Sequence, residues 1–163
     1  MTALFPDDHQ AARYEADIRH GIELLYFAYT RLYRGIDEGL AAQGLGRAHH
    51  RALYFIGRQP GLSVRELLRI LAITKQSLAR VINDLTARGF IVTEQGQADR
   101  RQRLLRLTET GAAFEASLFD PLRSSMTRAY GEAGDAALDG FWRVLAGLVP
   151  QDERDMVGPN LVP

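Results

Sequence analysis

The chain of 163 residues contains no cysteine. A disulfide, a thiolate metal site and a thiol-based redox switch are therefore excluded. The chain also lacks any uninterrupted apolar run of roughly 18 residues, the length expected of a membrane-spanning helix. Its first residues, MTALFPDDHQ, show neither the basic nor the apolar region of a signal peptide. We therefore expect a cytoplasmic protein with no membrane partner.

The sequence shows no pattern typical of an enzyme active site or of a metal site. Its acidic residues show no catalytic pattern, and no nucleophile is matched with a base and an orienting acid. The histidines are His9, His20, His49 and His50. His49 and His50 are adjacent, so on a helix their side chains would point about 100° apart and rarely share one ion. We therefore predict neither an enzyme nor a metal site, and no cofactor.

Lysine is almost absent, and the basic residues are unevenly placed. Lys75 is the only lysine, and the other nineteen basic residues are arginines. Residues 45–107 hold twelve basic and four acidic side chains, a net charge of +8, whereas the remaining residues carry a net charge of −8. This separation favours a basic central module that meets an anionic partner. The alternative is a solvated surface whose charge is merely uneven.

A long helix is predicted at the N-terminal end, over residues 10–42. Apolar residues recur there at spacings of three and four, which is the pattern of one helical stripe. The stripe consists of Tyr14, Ile18, Ile22, Leu25, Tyr29, Leu32, Ile36 and Leu40. Phe27 adds apolar surface away from the stripe, so this helix is expected to face more than its own core. A second helix is predicted within residues 47–61, with Pro60 and Gly61 as its stop.

The next segment has the pattern of two short helices joined by a tight turn. Ser63 and Glu66 form a capping-box pattern at the start of SVRELLRIL. After a break at residues 72–73, Thr74 is a second N-cap candidate, and Gly89 stands where a C′ glycine should. The inner face of the second helix is predicted to be Leu78, Val81, Ile82 and Leu85. This arrangement predicts a helix-turn-helix unit.

Two strand-like segments follow, FIVTEQ and QRLLRLT, separated by the loop-like stretch GQADRR. A hairpin directly after a helix-turn-helix predicts a winged helix. Thr108 can then cap a C-terminal helix that we expect to kink near Pro121, and a last helix is predicted over residues 135–149. The tail at residues 150–163 has no helical period, so we expect it to be extended or disordered.

A winged helix has an evident DNA-binding geometry, because its second helix enters the major groove. The DNA-binding residues predicted on and before that helix are Thr74, Lys75, Gln76, Ser77, Arg80 and Asn83. In the wing, Arg100 and Arg101 suit the minor groove, and Asp99 is expected to hold the loop by pairing with a neighbouring arginine. Candidates for phosphate contacts are Ser63, Arg65, Arg103 and Arg106. The alternative for these side chains is plain solvated surface.

The segment from SVRELL to LTETG resembles the winged-helix core of the MarR family of bacterial transcription regulators. The resemblance rests on the helix ending LTARGFI, the wing residues DRR and the strand exit LRLTETG. It implies a homodimer that binds a palindromic operator in double-stranded DNA, commonly as a repressor. It also implies that Arg101 enters the minor groove and that Asp99 supports it.

The resemblance covers the whole chain and implies a mainly α fold with a small β-hairpin wing. We expect an N-terminal dimerisation helix in residues 1–44 and a winged helix-turn-helix DNA-binding module in residues 45–108. C-terminal dimerisation helices are expected in residues 109–149, before the tail. An independent argument also favours a dimer, because the two acidic ends carry more apolar surface than one small core needs.

Many proteins that resemble this one release DNA when a small anionic aromatic compound binds between the dimer helices and the winged helix. Side chains that could line such an effector site here are Tyr26, Tyr29, Tyr33, His49 and Arg51, with Arg51 or His49 meeting a carboxylate. The alternative is that the tyrosines belong to the core or to the dimer interface. A different function also stays open, namely a winged helix used for architectural DNA binding or protein contact without sequence preference.

Overall fold

The computed structural model describes residues 8–96 and 102–157. The elements are α1 (Asp8–Ala42), α2 (Arg47–Arg58), β1 (Leu62–Ser63), α3 (Val64–Leu71), α4 (Lys75–Ala87), β2 (Ile91–Gln95), β3 (Arg103–Leu107), α5 (Glu109–Ala133), α6 (Asp135–Leu148) and a final 3-10 helix (Gln151–Val157). The predicted mainly α winged-helix fold is confirmed. Over the described ranges, no helix is both long and apolar enough to cross a membrane.

The sheet has three antiparallel strands in the order β1-β3-β2. In the predicted hairpin, Ile91 lies opposite Leu107 and Gln95 lies opposite Arg103. The strand β1 was not predicted, and it pairs Leu62 with Leu105 on the other edge of β3. A strand of two residues is too short to show an alternating pattern, so it could not be predicted from the sequence.

The hydrophobic core lies in the winged module. Leu78, Val81 and Leu85 on α4 are buried as predicted, and Ile82 is partly buried. The other buried apolar side chains are Ile36, Leu40, Leu45, Ala52, Leu53, Ile56, Leu62, Leu67, Leu71, Ile91, Leu105 and Leu118. The long helices α1 and α5 therefore enter this core at only a few positions.

Much of the apolar stripe on α1 lies outside the core of the chain. Tyr14, Ile18 and Ile22 are 56%, 60% and 61% exposed, whereas Ile36 and Leu40 are buried. The described side chains of α6 are likewise partly or fully exposed. The stripe thus predicted the helix correctly, but only its C-terminal end is covered by this chain's own residues.

The C-terminal region differs from expectation in its tail. The helix α5 continues through Pro121 to Ala133, as one element. Residues 151–157 form a 3-10 helix where an extended or disordered segment was expected. The Glu153 N–H donates to the Pro150 carbonyl at 3.0 Å, and Arg154 Nε donates to the Val149 carbonyl at 3.2 Å. Such a short helix needs no apolar period, so the pattern could not reveal it. The rest of the predicted tail, residues 158–163, lies outside the described residues.

Candidate nucleic-acid interface

The first helix of the helix-turn-helix begins with a complete capping box. The Ser63 hydroxyl accepts the Glu66 N–H at 3.2 Å, and the Glu66 carboxylate accepts the Ser63 N–H at 2.9 Å and its O–H at 2.6 Å. These hydrogen bonds hold the pKa of Glu66 below its ordinary value. Ser63 is buried and its hydroxyl is engaged within the chain. We therefore assign Ser63 to helix capping and leave it out of the proposed phosphate contacts.

The turn between α3 and α4 is made by three residues. Ala72 adopts a left-handed conformation with φ of 49°, which ends α3. Thr74 then caps α4, because its Oγ1 accepts the Ser77 N–H at 3.1 Å and donates to Ser77 Oγ at 2.9 Å. The predicted break and the predicted second N-cap are both confirmed.

The outer face of α4 and its N-cap carry the side chains that were predicted to face DNA. Each of them is exposed, namely Thr74, Lys75, Gln76, Ser77, Arg80 and Asn83. Glutamine pairs bidentately with adenine edges and arginine with guanine edges, so this face has the chemistry for base readout. The helix N-terminus adds a positive dipole end that suits a phosphate group.

The wing is described only as far as its two strands. The Gly96 N–H donates to the Gln102 carbonyl at 3.0 Å, which closes the described part of the hairpin. Arg106 Nε donates to Glu94 Oε2 at 2.9 Å, so this arginine already has an anionic partner across the strands. The predicted tip residues Asp99, Arg100 and Arg101 lie outside the described residues.

A groove beside α4 brings together cations that are distant in the sequence. Arg65 on α3, Lys75 on α4 and Arg103 on β3 line one groove of about 700 Å³. Leu68 and Leu78 contribute apolar surface to it. No acidic side chain is found among the described residues that line this groove. The groove is therefore a positively charged strip next to the outer face of α4.

A second cavity, which we call the aromatic cavity, lies between α1, α2 and α5 and measures about 500 Å³. Its lining residues are Tyr29, Leu32, Tyr33, His50, Arg51, Tyr54, Phe55, Phe119, Leu122 and Met126. Tyr29, Tyr33 and Arg51 were predicted to line an effector site, and the structure places these three together. The other two predicted residues, Tyr26 and His49, are not among the residues that line the cavity, and the ring of His49 bonds to Asp84 on α4.

The aromatic cavity contains polar groups that lack partners. His50 is 2% exposed, and within the described part of the chain neither of its ring nitrogens has a hydrogen-bond partner, nor does Arg51 Nε. Burial and, to a smaller extent, the Arg51 cation lower the pKa of His50, while Asp37 opposes them. Burial likewise raises the pKa of Tyr33. The cavity thus combines an uncharged imidazole and a cation with several aromatic rings.

An ion pair joins the first turn of α2 to α1, and it was not predicted from the sequence. Arg47 donates to both carboxylate oxygens of Asp37, at 2.9 and 2.6 Å. Its guanidinium also lies over the rings of Tyr29 and Tyr33, 5.5 and 5.7 Å from their centroids. This pair lowers the pKa of Asp37. Residues ten apart on two helices give no periodic signal, so only the fold reveals the contact.

Comparisons with known proteins agree with this geometry. The sequence profile described as "MarR family" matches residues 43–102. The HTH-type transcriptional regulator PetP of Rhodobacter capsulatus is 42% identical over 148 residues, which are 91% of this chain and 85% of that protein.

Two solved structures have a similar fold. The MarR family transcription regulator SP03579 has a TM-score of 0.68 at 16% identity, over 85% of this chain and 92% of that chain. The PcaV transcriptional regulator of Streptomyces coelicolor, solved in complex with its natural ligand, has a TM-score of 0.57 at 18% identity, over 91% of this chain and 96% of that chain. At these identities the likeness concerns the fold alone.

Proposed function

Because the chain belongs to the MarR family of winged helix-turn-helix, DNA-binding transcriptional regulators, we propose that it is a homodimeric repressor that binds a palindromic operator. The observation that carries this proposal is the exposed polar face of α4 beside a groove lined by Arg65, Lys75 and Arg103. A base-reading surface lies next to a phosphate-binding one there, which is what specific recognition of duplex DNA needs.

We assign separate tasks to the side chains of this surface. Gln76, Arg80 and Asn83 on α4 read base edges in the major groove, because they project from its exposed face. The cations of the groove, Arg65, Lys75 and Arg103, bind phosphates. In the wing, whose tip is known from sequence only, Arg100 and Arg101 enter the minor groove with support from Asp99, and Arg106 contributes to the positive field.

A second copy of the chain is the proposed cover for the exposed apolar helices. Apolar side chains of α1, α5 and α6, including Leu25, Phe141 and Leu145, line an open groove of about 470 Å³. Surfaces of this kind are normally buried in an interface. A two-fold dimer would present two α4 helices to half-sites about 34 Å apart, or a multiple of this distance. The dimerisation regions, residues 1–44 and 109–149, belong to the acidic part of the chain, which keeps them away from DNA.

The aromatic cavity is the proposed effector site, and its ligand is proposed to be a flat aromatic compound with an anionic group. Arg51 would meet the anion, and the uncharged His50 would accept a hydrogen bond. Benzoate is a suitable probe for calorimetry with the intact protein. We expect the wild type to bind it and Arg51→Ala to bind it at least about tenfold more weakly, the loss of a charge-assisted hydrogen bond.

The experiment that tests the proposal compares Arg80→Ala with Arg101→Ala on matched and mismatched duplexes. Loss of the Arg80 side chain should cost about 1–3 kcal/mol on the matched duplex and relax base preference. Loss of the Arg101 side chain should weaken binding to every duplex and reduce its salt dependence. Identical behaviour of the two variants would contradict the assigned roles and favour a winged helix that binds without sequence preference.

A further inference from the structure

The side chain of His49 connects two helices of the winged module. It lies in the first turn of α2, where Nδ1 accepts the Gly46 N–H at 3.1 Å. Its other ring nitrogen, Nε2, is 3.1 Å from Asp84 Oδ2, on α4. The imidazole is 15% exposed and the carboxylate is 56% exposed. One ring thus links the start of α2 to the C-terminal part of α4.

The hydrogen bond from Gly46 selects the tautomer of the neutral ring. A nitrogen that accepts an N–H carries no proton, so in the neutral ring the proton is on Nε2 and is donated to the Asp84 carboxylate. His49 stands three residues after the N-cap Gly46, the position where glutamate or glutamine completes a capping box. The same side chain therefore caps α2 with one nitrogen and holds α4 with the other.

We infer that His49 is a positioning residue for DNA reading: through Asp84 it fixes the orientation of α4 against α2. This inference rests on the proposed function, in which α4 reads base edges. Asp84 follows Asn83 directly and lies one turn after Arg80, so a constraint on Asp84 acts on the part of α4 that carries these two side chains.

The His49–Asp84 pair is better suited to orienting α4 than to stabilising the fold. Pairs with an exposed partner add little to the free energy of unfolding. Base contacts, by contrast, depend on side-chain placement within a fraction of an ångström. The other charged side chains on α2 and α4 are all cations, namely Arg47, Arg51, Arg58, Lys75 and Arg80. On α1, the nearby carboxylate of Asp37 is bonded to Arg47. Asp84 is thus the anion that the structure places on His49.

Three variants distinguish the effect of the His49–Asp84 contact from that of the His49–Gly46 hydrogen bond and from a change in net charge. Glutamate in His49→Glu can still accept the Gly46 N–H, but it repels Asp84. The double variant His49→Glu/Asp84→Asn restores a hydrogen bond between the two positions and has the same net charge as the wild-type pair. In the conservative variant His49→Gln, the amide oxygen can accept from Gly46 while its NH2 group donates to Asp84.

The test measures two quantities on the full chain. The first is the ratio of affinities for an operator, selected from genomic DNA by the wild type, and for a random duplex at one salt concentration. The second is amide hydrogen exchange in α4 without DNA. We expect His49→Glu to lower the ratio about tenfold, the effect of one charge-assisted hydrogen bond, and to speed exchange in α4. The double variant and His49→Gln should each return both quantities to within about threefold of the wild type.

The inference would be overturned if His49→Glu weakened binding to both duplexes equally and left exchange in α4 unchanged, since its effect would then be charge alone. Failure of the double variant to restore either quantity would also overturn it. A wild type that does not distinguish operator from random duplex would instead contradict the proposed function. The exchange measurement would still decide in that case whether His49 holds α4.

Discussion

Gly111 shows how a single residue fixes the junction between the winged module and α5. A Cβ atom at this position would lie 1.8 Å from the Phe90 carbonyl oxygen. That oxygen also accepts the Thr108 N–H at 3.0 Å, so it is held in place by the chain that leads into α5. The close approach therefore needs a residue without a side chain.

The variant Gly111→Ala should lose at least about 3 kcal/mol of unfolding free energy, because a backbone shift is required to admit the methyl group. Urea denaturation followed by circular dichroism measures this loss. Gly131→Ala is the matched control in the same helix, since a Cβ there meets nothing within 4 Å. The control should be stabilised by roughly 0.5–1 kcal/mol, as alanine favours helix. Equal stability of the two variants would contradict the described packing.

His50 should make the stability of the protein depend on pH in a defined direction. Its pKa is lowered in the folded state by burial, so the unfolded state binds more protons below about pH 6.5. The contribution of the neutral imidazole is present above that pH and is lost as the pH falls toward the lowered pKa. Between pH 7.5 and 5.5, the wild type should lose more unfolding free energy than His50→Phe. An equal loss in both proteins would show that His50 is not buried in its neutral form.

At the scale of elements, the helix starts were the most predictable feature of the fold. Ser63, Thr74 and Thr108 each cap the helix that follows, as their position before an apolar period indicated. An N-cap depends on residues that are close together in the sequence, so it can be predicted from the sequence alone. The contacts of His49 with Asp84 and of Arg47 with Asp37 join different helices and could not be read from any spacing.

The proposed effector site shows the same limit. Tyr29, Tyr33 and Arg51, which we predicted to line such a site, line the aromatic cavity together with His50, whereas the ring of His49 lies against Asp84. Adjacent helical residues point about 100° apart, so only one of the two histidines could face a cavity on that side of α2. The buried face of α2 decides between them, and this face depends on packing against α1 and α5.

Thr108 should stabilise the junction between α4 and α5 by its hydroxyl. This group donates to the Gly89 carbonyl at 2.6 Å and accepts the Gly111 N–H at 2.9 Å. Thr108→Ala should therefore lower the unfolding free energy by about 1–2 kcal/mol, whereas Thr108→Ser, which keeps the hydroxyl, should lose much less. Chemical denaturation of the two variants checks this. A serine variant as unstable as the alanine variant would contradict the assigned hydrogen bonds.

At the scale of the whole molecule, the exposed apolar stripe of α1 is part of the surface that the proposed dimer would bury. Ile18 and Ile22 are 60% and 61% exposed, although their spacing is that of a buried face. The C-terminal helices expose Phe141 and Trp142 in the same way. A charge on this surface should therefore disturb assembly more than a charge on the opposite face of the same helix.

Ile22→Glu should shift the sedimentation equilibrium of the protein from twice the chain mass of 18.2 kDa toward one chain mass. The buried carboxylate would have to be desolvated in the dimer, which is costly. His20→Glu introduces the same side chain about 200° around the helix and serves as the control, which should remain dimeric. A wild type that sediments as a monomer would contradict the proposed interface.

The most direct test of the account is the sequencing of genomic fragments that the purified wild type retains at near-physiological salt. We expect the retained fragments to share a palindrome whose half-sites are about 34 Å apart, or a multiple of this distance, since two α4 helices of a dimer would read one face of the duplex. Retention of fragments without any shared motif would contradict sequence-specific reading by α4.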